Sequence, residues 1–271
     1  MKQFYYIKNE SQLVGGISEL FLIVGKQHFS FAIRNSNEII CSAYYETAEG
    51  DNWKLKLAEF HPELLHRFEK ITVAFDVPEM AIIPNSLFDE SALKMHLQTL
   101  HPITQNVVLY FDSIQNKEVQ IGYAVAKELH DWVNEKYPSA ICFHLTGSLL
   151  KNFKSTDKDS LLVDFRSGEF LVIVFKKEQL QLVQYYSFSS LADILYYLLK
   201  ICEQFGLSQE EVIINISGLI EKDSAIYQEL YKYFLNIEFE KNAESLNFVE
   251  AFNELPDYYF SNISKIITCA S

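Results

Sequence analysis

The chain has 271 residues, 49% hydrophobic and 22% charged, which is enough to bury one large core or two ordinary ones and excludes a disordered chain. Its formal net charge is −13 and no stripe of Lys and Arg breaks the acidic balance, so nucleic-acid binding is excluded and docking on anionic lipid is disfavoured. With 9 Gly and 6 Pro, few loops are free to cradle a phosphate.

The opening stretch Met1–Glu10 has no basic segment leading into an apolar one, and no run of about 18 apolar residues follows anywhere. The expected location is the cytoplasm. Cys41, Cys142, Cys202 and Cys269 are scattered without a CxxC pair, which fits a reducing compartment.

In chain order, Leu20–Lys26, His28–Arg34 and Glu38–Glu46 read as three strands joined by short turns. Trp53, Leu57, Phe60, Leu64, Leu65 and Phe68 recur at helical spacing and predict a helix over Asn52–Phe68. Ile71–Val77 is a buried-type strand. The block from Pro78 to Pro138 predicts a helix (Asp89–Leu100), a strand pair (Val107–Phe111 and Val119–Val125) and a second helix (Lys127–Tyr137). A strand at Ser139–Leu145 and a helix at Thr146–Phe153 follow. The polar run Lys154–Asp159 reads as a hinge.

After the hinge the opening order returns. Strands are predicted at Leu161–Phe165, Glu169–Phe175 and Gln179–Phe188, then a helix at Ser189–Phe205 with Ser189 or Ser190 as N-cap and Gly206 at its end. Val212–Ile216 is a strand, Asp223–Phe234 a helix, Asn236–Phe239 a strand and Pro256–Ile267 a closing helix. Both halves therefore read strand-strand-strand-helix-strand-helix-strand-helix. The first carries an extra block at about 78–138, and the halves span 1–153 and 154–271. The likeness is one of order, with no residue repeat. A meander leading into crossover helices predicts an α/β fold with two mixed sheets and flanking helices.

That duplicated order resembles the actin-like, ribonuclease-H-like fold shared by actin, the sugar kinases and the heat-shock chaperone ATPases. The insertion in the first half is similar to that of bacterial actin-like proteins of cell division, type IV pilus assembly and type II secretion. The run Leu22-Ile23-Val24-Gly25, followed by Phe29-Ser30-Phe31-Ala32-Ile33, resembles the opening of an uncharacterised bacterial family of unknown function.

The resemblance implies three nucleotide-contacting turns. Glycines there let backbone N–H groups approach phosphate, and a strand-end aspartate holds a magnesium-bound water. In the first turn Gly25 fits, but Val24 stands near the carboxylate position. In the second, Asp164 matches the acid, while Phe165 and Arg166 replace small residues and leave only Gly168. Glu169 would repel phosphate, and Arg166 would offset this by binding phosphate directly. In the third, Ser217-Gly218 keeps one glycine of a pair.

These departures lead to a non-catalytic scaffold or adaptor with a protein partner and no cofactor. The alternative is an atypical ATPase or small-molecule kinase that takes ATP with magnesium, with Asp164 as the magnesium or base residue and Gly25, Lys26, Ser167, Gly168, Ser217 and Gly218 around the ligand. A metal enzyme has no support: His61 and His66, like His96 and His101, miss ligand spacing and read as surface or helix-end histidines. Asp76 and Asp112 end strands and read as turn or cap residues. Of the adjacent Tyr185 and Tyr186, strand alternation places one inward and one outward.

Overall fold

The computed structural model describes residues 1–9, 18–48, 53–103, 105–153 and 157–270. Asn52 and residues 154–156 of the expected hinge lie outside them. The chain forms two compact units. Unit 1 is Met1–Asn152 with Ala243–Leu255 and the stretch from Ile263 onward; unit 2 is Phe153–Asn242 with Pro256–Asn262. The stretch after 242, which chain order gives to the second half, is therefore shared between the units.

Unit 1 begins with β1 (Lys2–Lys8), β2 (Ser18–Gly25), β3 (His28–Asn35), β4 (Glu38–Glu46), α1 (Trp53–Phe60) and β5 (Lys70–Asp76). It continues with β6 (Met80–Pro84), α2 (Leu93–Leu100), β7 (Val107–Ile114), β8 (Val119–Ala126), α3 (Lys127–Lys136), β9 (Ile141–His144) and α4 (Leu145–Asn152). Unit 2 holds β10 (Ser160–Phe165), β11 (Glu169–Lys176), β12 (Gln179–Ser187), α5 (Leu191–Phe205), β13 (Ile213–Gly218), α6 (Ala225–Leu230) and β14 (Asn236–Phe239). The tail adds β15 (Asn247–Phe248) and α7 (Ser261–Ala270).

The two main sheets share one plan. In unit 1 the order is β1-β4-β3-β2-β5-β9, with β15 also on β4; in unit 2 it is β12-β11-β10-β13-β14. The hairpins β2–β3–β4 and β10–β11–β12 are antiparallel, and the strands reached by crossover, β5 and β9 or β13 and β14, are parallel. The duplication read from element order is thus a duplication of strand order and sense.

Both faces of β2, β3, β10 and β11 are covered, so their inward and outward residues alike are buried. That is why they read as apolar runs and not as alternation. In unit 2 the core joins Leu161, Val163, Phe170 and Val172 to Ile194, Leu198 and Ile201 of α5. Each such side chain contributes about 1.5–3 kcal/mol when fully buried. The α5 helix starts in a reciprocal cap, with Ser190 and Asp193 each bonding the other's backbone, and ends at Gly206 with φ +61°.

Several elements differ from expectation for local reasons. The helix predicted to Phe68 stops at Phe60, because His61 precedes Pro62 and takes φ −128°, ψ 71°; a short 3-10 turn, Pro62–Leu65, follows. The inserted block is a three-stranded sheet, β6-β8-β7, not a strand pair. Its own small core sets Ala81, Ile83 and Ala124 against Leu93 and Leu97. Strands β1 and β15 are also additional, both paired with β4. Tyr185 and Tyr186 are both half-buried. Tyr186 packs on Tyr197 with ring centroids 4.4 Å apart, and Tyr185 lies under Arg166.

Candidate functional site

In unit 2 the parallel pairing of β10 with β13 places Asp164 opposite Ser217 and Phe165 opposite Gly218. Asp164 is 0% exposed. Its Oδ1 accepts from the Ser217 hydroxyl at 2.7 Å and from the Asn262 amide at 2.9 Å. Its Oδ2 faces Nη2 of Arg166 at 3.0 Å. The Arg166 guanidinium is itself buried and lies 5.2 Å from the centre of the Tyr185 ring. One carboxylate oxygen is therefore hydrogen-bonded twice and the other ion-paired by the protein's own side chains, which offsets the cost of a buried charge. Arg166, expected to reach for phosphate directly, is turned inward onto Asp164.

The turn that follows is a two-residue hairpin. Arg166 N–H donates to the Glu169 carbonyl at 2.9 Å, leaving Ser167 and Gly168 at an exposed tip. Gly168 has φ +75° with open space around it, so its glycine serves the turn. Gly218 has φ +81°, and a Cβ there would overlap the Phe165 carbonyl oxygen and come within 3.0 Å of Asp164 Oδ1. The glycine is needed for close packing of the two strand ends. Ser217 and Gly218 thus join Asp164 in one cluster, while Ser167 and Gly168 stand beyond it on the hairpin tip.

In unit 1 the matching turn is Gly25-Lys26-Gln27-His28. The His28 imidazole lies against Gly25 where a Cβ would be, so that face of the glycine is filled. His28 Nε2 lies 3.0 Å from Asp76 Oδ2, and both side chains are buried. Asp76, read as a turn or cap residue, ends β5 opposite Gly25 and holds the histidine. Lys26, a candidate ligand residue, is ion-paired with Glu79.

Two other polar clusters lie in unit 1. His61, read as a surface or helix-end residue, is 1% exposed. Its Nδ1 is 2.8 Å from Glu63 Oε1 and its Nε2 is 2.6 Å from the Tyr45 hydroxyl. Tyr6 donates to the same Glu63 oxygen at 2.9 Å. Burial works to raise the Glu63 carboxyl, but the bonds from His61, its own backbone and Tyr6 outweigh it and hold it below its ordinary value. In the second cluster Asp112 Oδ2 accepts the His144 backbone N–H at 2.6 Å, just before α4. Burial pushes that carboxyl up to about 6, against the opposing pull of the His144 N–H and Lys151. His144 accepts from Thr146 N–H at Nδ1 and donates from Nε2 to the Val77 carbonyl.

All four cysteines are free thiols, and burial raises each of them, Cys142 and Cys202 to about 11. None has the lowered pKa of a nucleophile. Among the described residues no group of three or more His, Cys, Asp or Glu is placed to hold a metal ion, and no helix is long and apolar enough to cross a membrane.

Two contributors escape a reading of the sequence. Asn262 reaches Asp164 from 98 residues downstream, and the His28–Asp76 pair depends on the parallel register of β2 with β5. The one available signal was an acid at the end of an apolar strand.

Solved structures carry the same fold. A Bacteroides thetaiotaomicron protein, described as having an actin-like ATPase fold and unknown function, matches with TM-score 0.75 at 19% identity, over 93% of this chain and 96% of that one. The PilM–PilN type IV pilus biogenesis complex matches with TM-score 0.67 at 13% identity, over 95% and 100%. The cytoplasmic domain of EpsL, an inner membrane component of the Vibrio cholerae type II secretion system, matches with TM-score 0.52 at 10% identity, over 93% and 94%. The fold is actin-like. No curated protein matches the chain. Residues 15–237 match the family described as "Protein of unknown function (DUF3822)", and the chain belongs to that family.

Proposed function

We propose that this chain is a non-catalytic, actin-like scaffold or adaptor of the cytoplasm that works by holding a protein partner. The observation that carries the reading is the engagement of Asp164. The chemistry of this fold needs a strand-end carboxylate open to a magnesium-bound water, and here Ser217, Asn262 and Arg166 already surround it. A guanidinium stands beside the carboxylate where a cation would approach, so these residues do not fit a magnesium nucleotide. The other two turns support the same view: His28 fills the face of Gly25, and Gly218 is closed against Phe165. The similar structures favour a protein partner, since one is by name a PilM–PilN complex.

Thermal unfolding with and without millimolar Mg-ATP tests the proposal. A bound nucleotide at 100 times its dissociation constant would stabilise the fold by about 2.7 kcal/mol. The expected outcome is no Asp164-dependent shift. A clear rise in Tm that is lost in Asp164→Asn would replace the scaffold with the ATP-binding alternative.

A further inference from the structure

Unit 1 contains a cavity of about 520 Å³ between α1, the 3-10 turn after it, the start of β5 and the end of α3. Small-molecule sites run from roughly 300 to 1,000 Å³. The inner lining is apolar: Leu57, Leu64 and Tyr137 are buried. Trp132 also lines it, half-buried and held edge-on by Trp53 at 5.2 Å and by Tyr137 at 6.0 Å. That packing fixes the indole while leaving part of it open to the cavity.

The rim is basic, in a chain whose net charge is −13. Arg67 and Lys136 line it and are exposed, and among the described residues neither forms an ion pair. Lys54 also lines it but is engaged by Glu128 at 2.5 Å. Glu69 is the one acid among the described lining residues. Two available cations above a fixed aromatic wall suit a ligand with two unlike ends. A bare inorganic anion would leave the indole uncovered, and a neutral apolar molecule would desolvate the cations without pairing them. The volume takes one ring system with its side group, which is far less than a folded partner presents.

The geometry points to a binding site for a small organic anion bearing a flat ring, with the ring against Trp132 and the charge on Arg67 and Lys136. The site is independent of Asp164 and stands whether or not the scaffold reading holds.

The test uses anilinonaphthalene sulfonate as probe on the whole chain, reading energy transfer from the two tryptophans. The expected result is saturable binding of one probe per chain, weakened about tenfold or more in Arg67→Glu and Lys136→Glu. Both substituted positions are exposed, and an unchanged Tm shows that the variants fold. Naphthoate should displace the probe, and naphthol should not. Binding that is absent, unmoved by charge reversal or displaced equally by naphthol overturns the proposal. Displacement by hexaglutamate at lower concentration than naphthoate also overturns it, in favour of an acidic peptide. Adenine nucleotides are themselves ring-bearing anions. A Mg-ATP shift that survives Asp164→Asn and falls in Lys136→Glu therefore supports this cavity, whereas one lost only in Asp164→Asn belongs to the unit 2 site.

Discussion

At the β2–β3 turn of unit 1 the strand-end acid is Asp76, on the parallel neighbour β5; at the β10–β11 turn of unit 2 it is Asp164, on the leading strand itself. Each acid meets a basic side chain from the hairpin of its unit, His28 of β3 in one and Arg166 of the β10–β11 turn in the other. The duplicated strand order is kept, while the acid and its base have moved to different positions within it. The two units have thus arrived separately at a strand end whose acid is engaged by the protein's own side chain. They differ in the partner, an imidazole in unit 1 and in unit 2 a guanidinium that stays charged at any pH the fold meets.

The largest test of that difference removes the acid in unit 2. Asp164→Ala leaves the charged Arg166 buried without its carboxylate and should cost about 4 kcal/mol in urea unfolding. His28→Ala in unit 1 should cost about 2 kcal/mol, the loss of a hydrogen bond and some packing. Equal costs would break the comparison.

The glycines come next. Gly218→Ala should cost about 3 kcal/mol, since φ +81° is strained for alanine and the obstacle is backbone. In Gly25→Ala the obstacle is the His28 ring, which can rotate away from Asp76, so about 2 kcal/mol is expected from the lost contact. A reversed order in calorimetry would show that the unit 1 turn is the tighter one.

A third test asks where pH acts. Asp112 in unit 1 has its folded value raised by burial to about 6, so the folded chain holds a proton that the unfolded chain releases. Its contribution to stability is full below about pH 4 and is lost as pH rises through about 6. Asp112→Asn should therefore remove that loss, making the slope of Tm between pH 4 and 7 more positive, and add about 2 kcal/mol at pH 8. An unchanged slope would move the pH response elsewhere. The smallest effect is Gly168→Ala, about 1 kcal/mol, because only the left-handed backbone opposes it.

Strands were legible where burial on both faces made them apolar runs, as in Leu20–Val24 and Leu161–Phe165. Strand β1 was not, because an edge strand half open to solvent mixes Lys, Gln and Tyr without a long apolar run. Strand β6 ends in Pro84 and takes its pairing from β8, far along the chain. At the site, Asp164, Ser217 and Gly218 were singled out by the resemblance to nucleotide-contacting turns, and the parallel register of β10 with β13 brings the three together. Arg166 was visible as a charge, but its direction was not: sequence shows a side chain's length and chemistry and does not show which neighbour lies within its reach.

The Asn262 amide on Asp164 has a consequence for chain continuity. The segment that carries it belongs to unit 2 only from Pro256 to Asn262, with Ala243–Leu255 before it and Ile263 onward after it in unit 1. No single break in the backbone yields both units whole. A fragment ending at Asn242 keeps Asp164, Arg166 and Ser217 but loses the amide, and a fragment long enough to retain it carries part of the other unit along. Anyone seeking unit 2 alone must splice 256–262 onto it, because its buried acid is closed by residues that the chain supplies only after a passage through its neighbour.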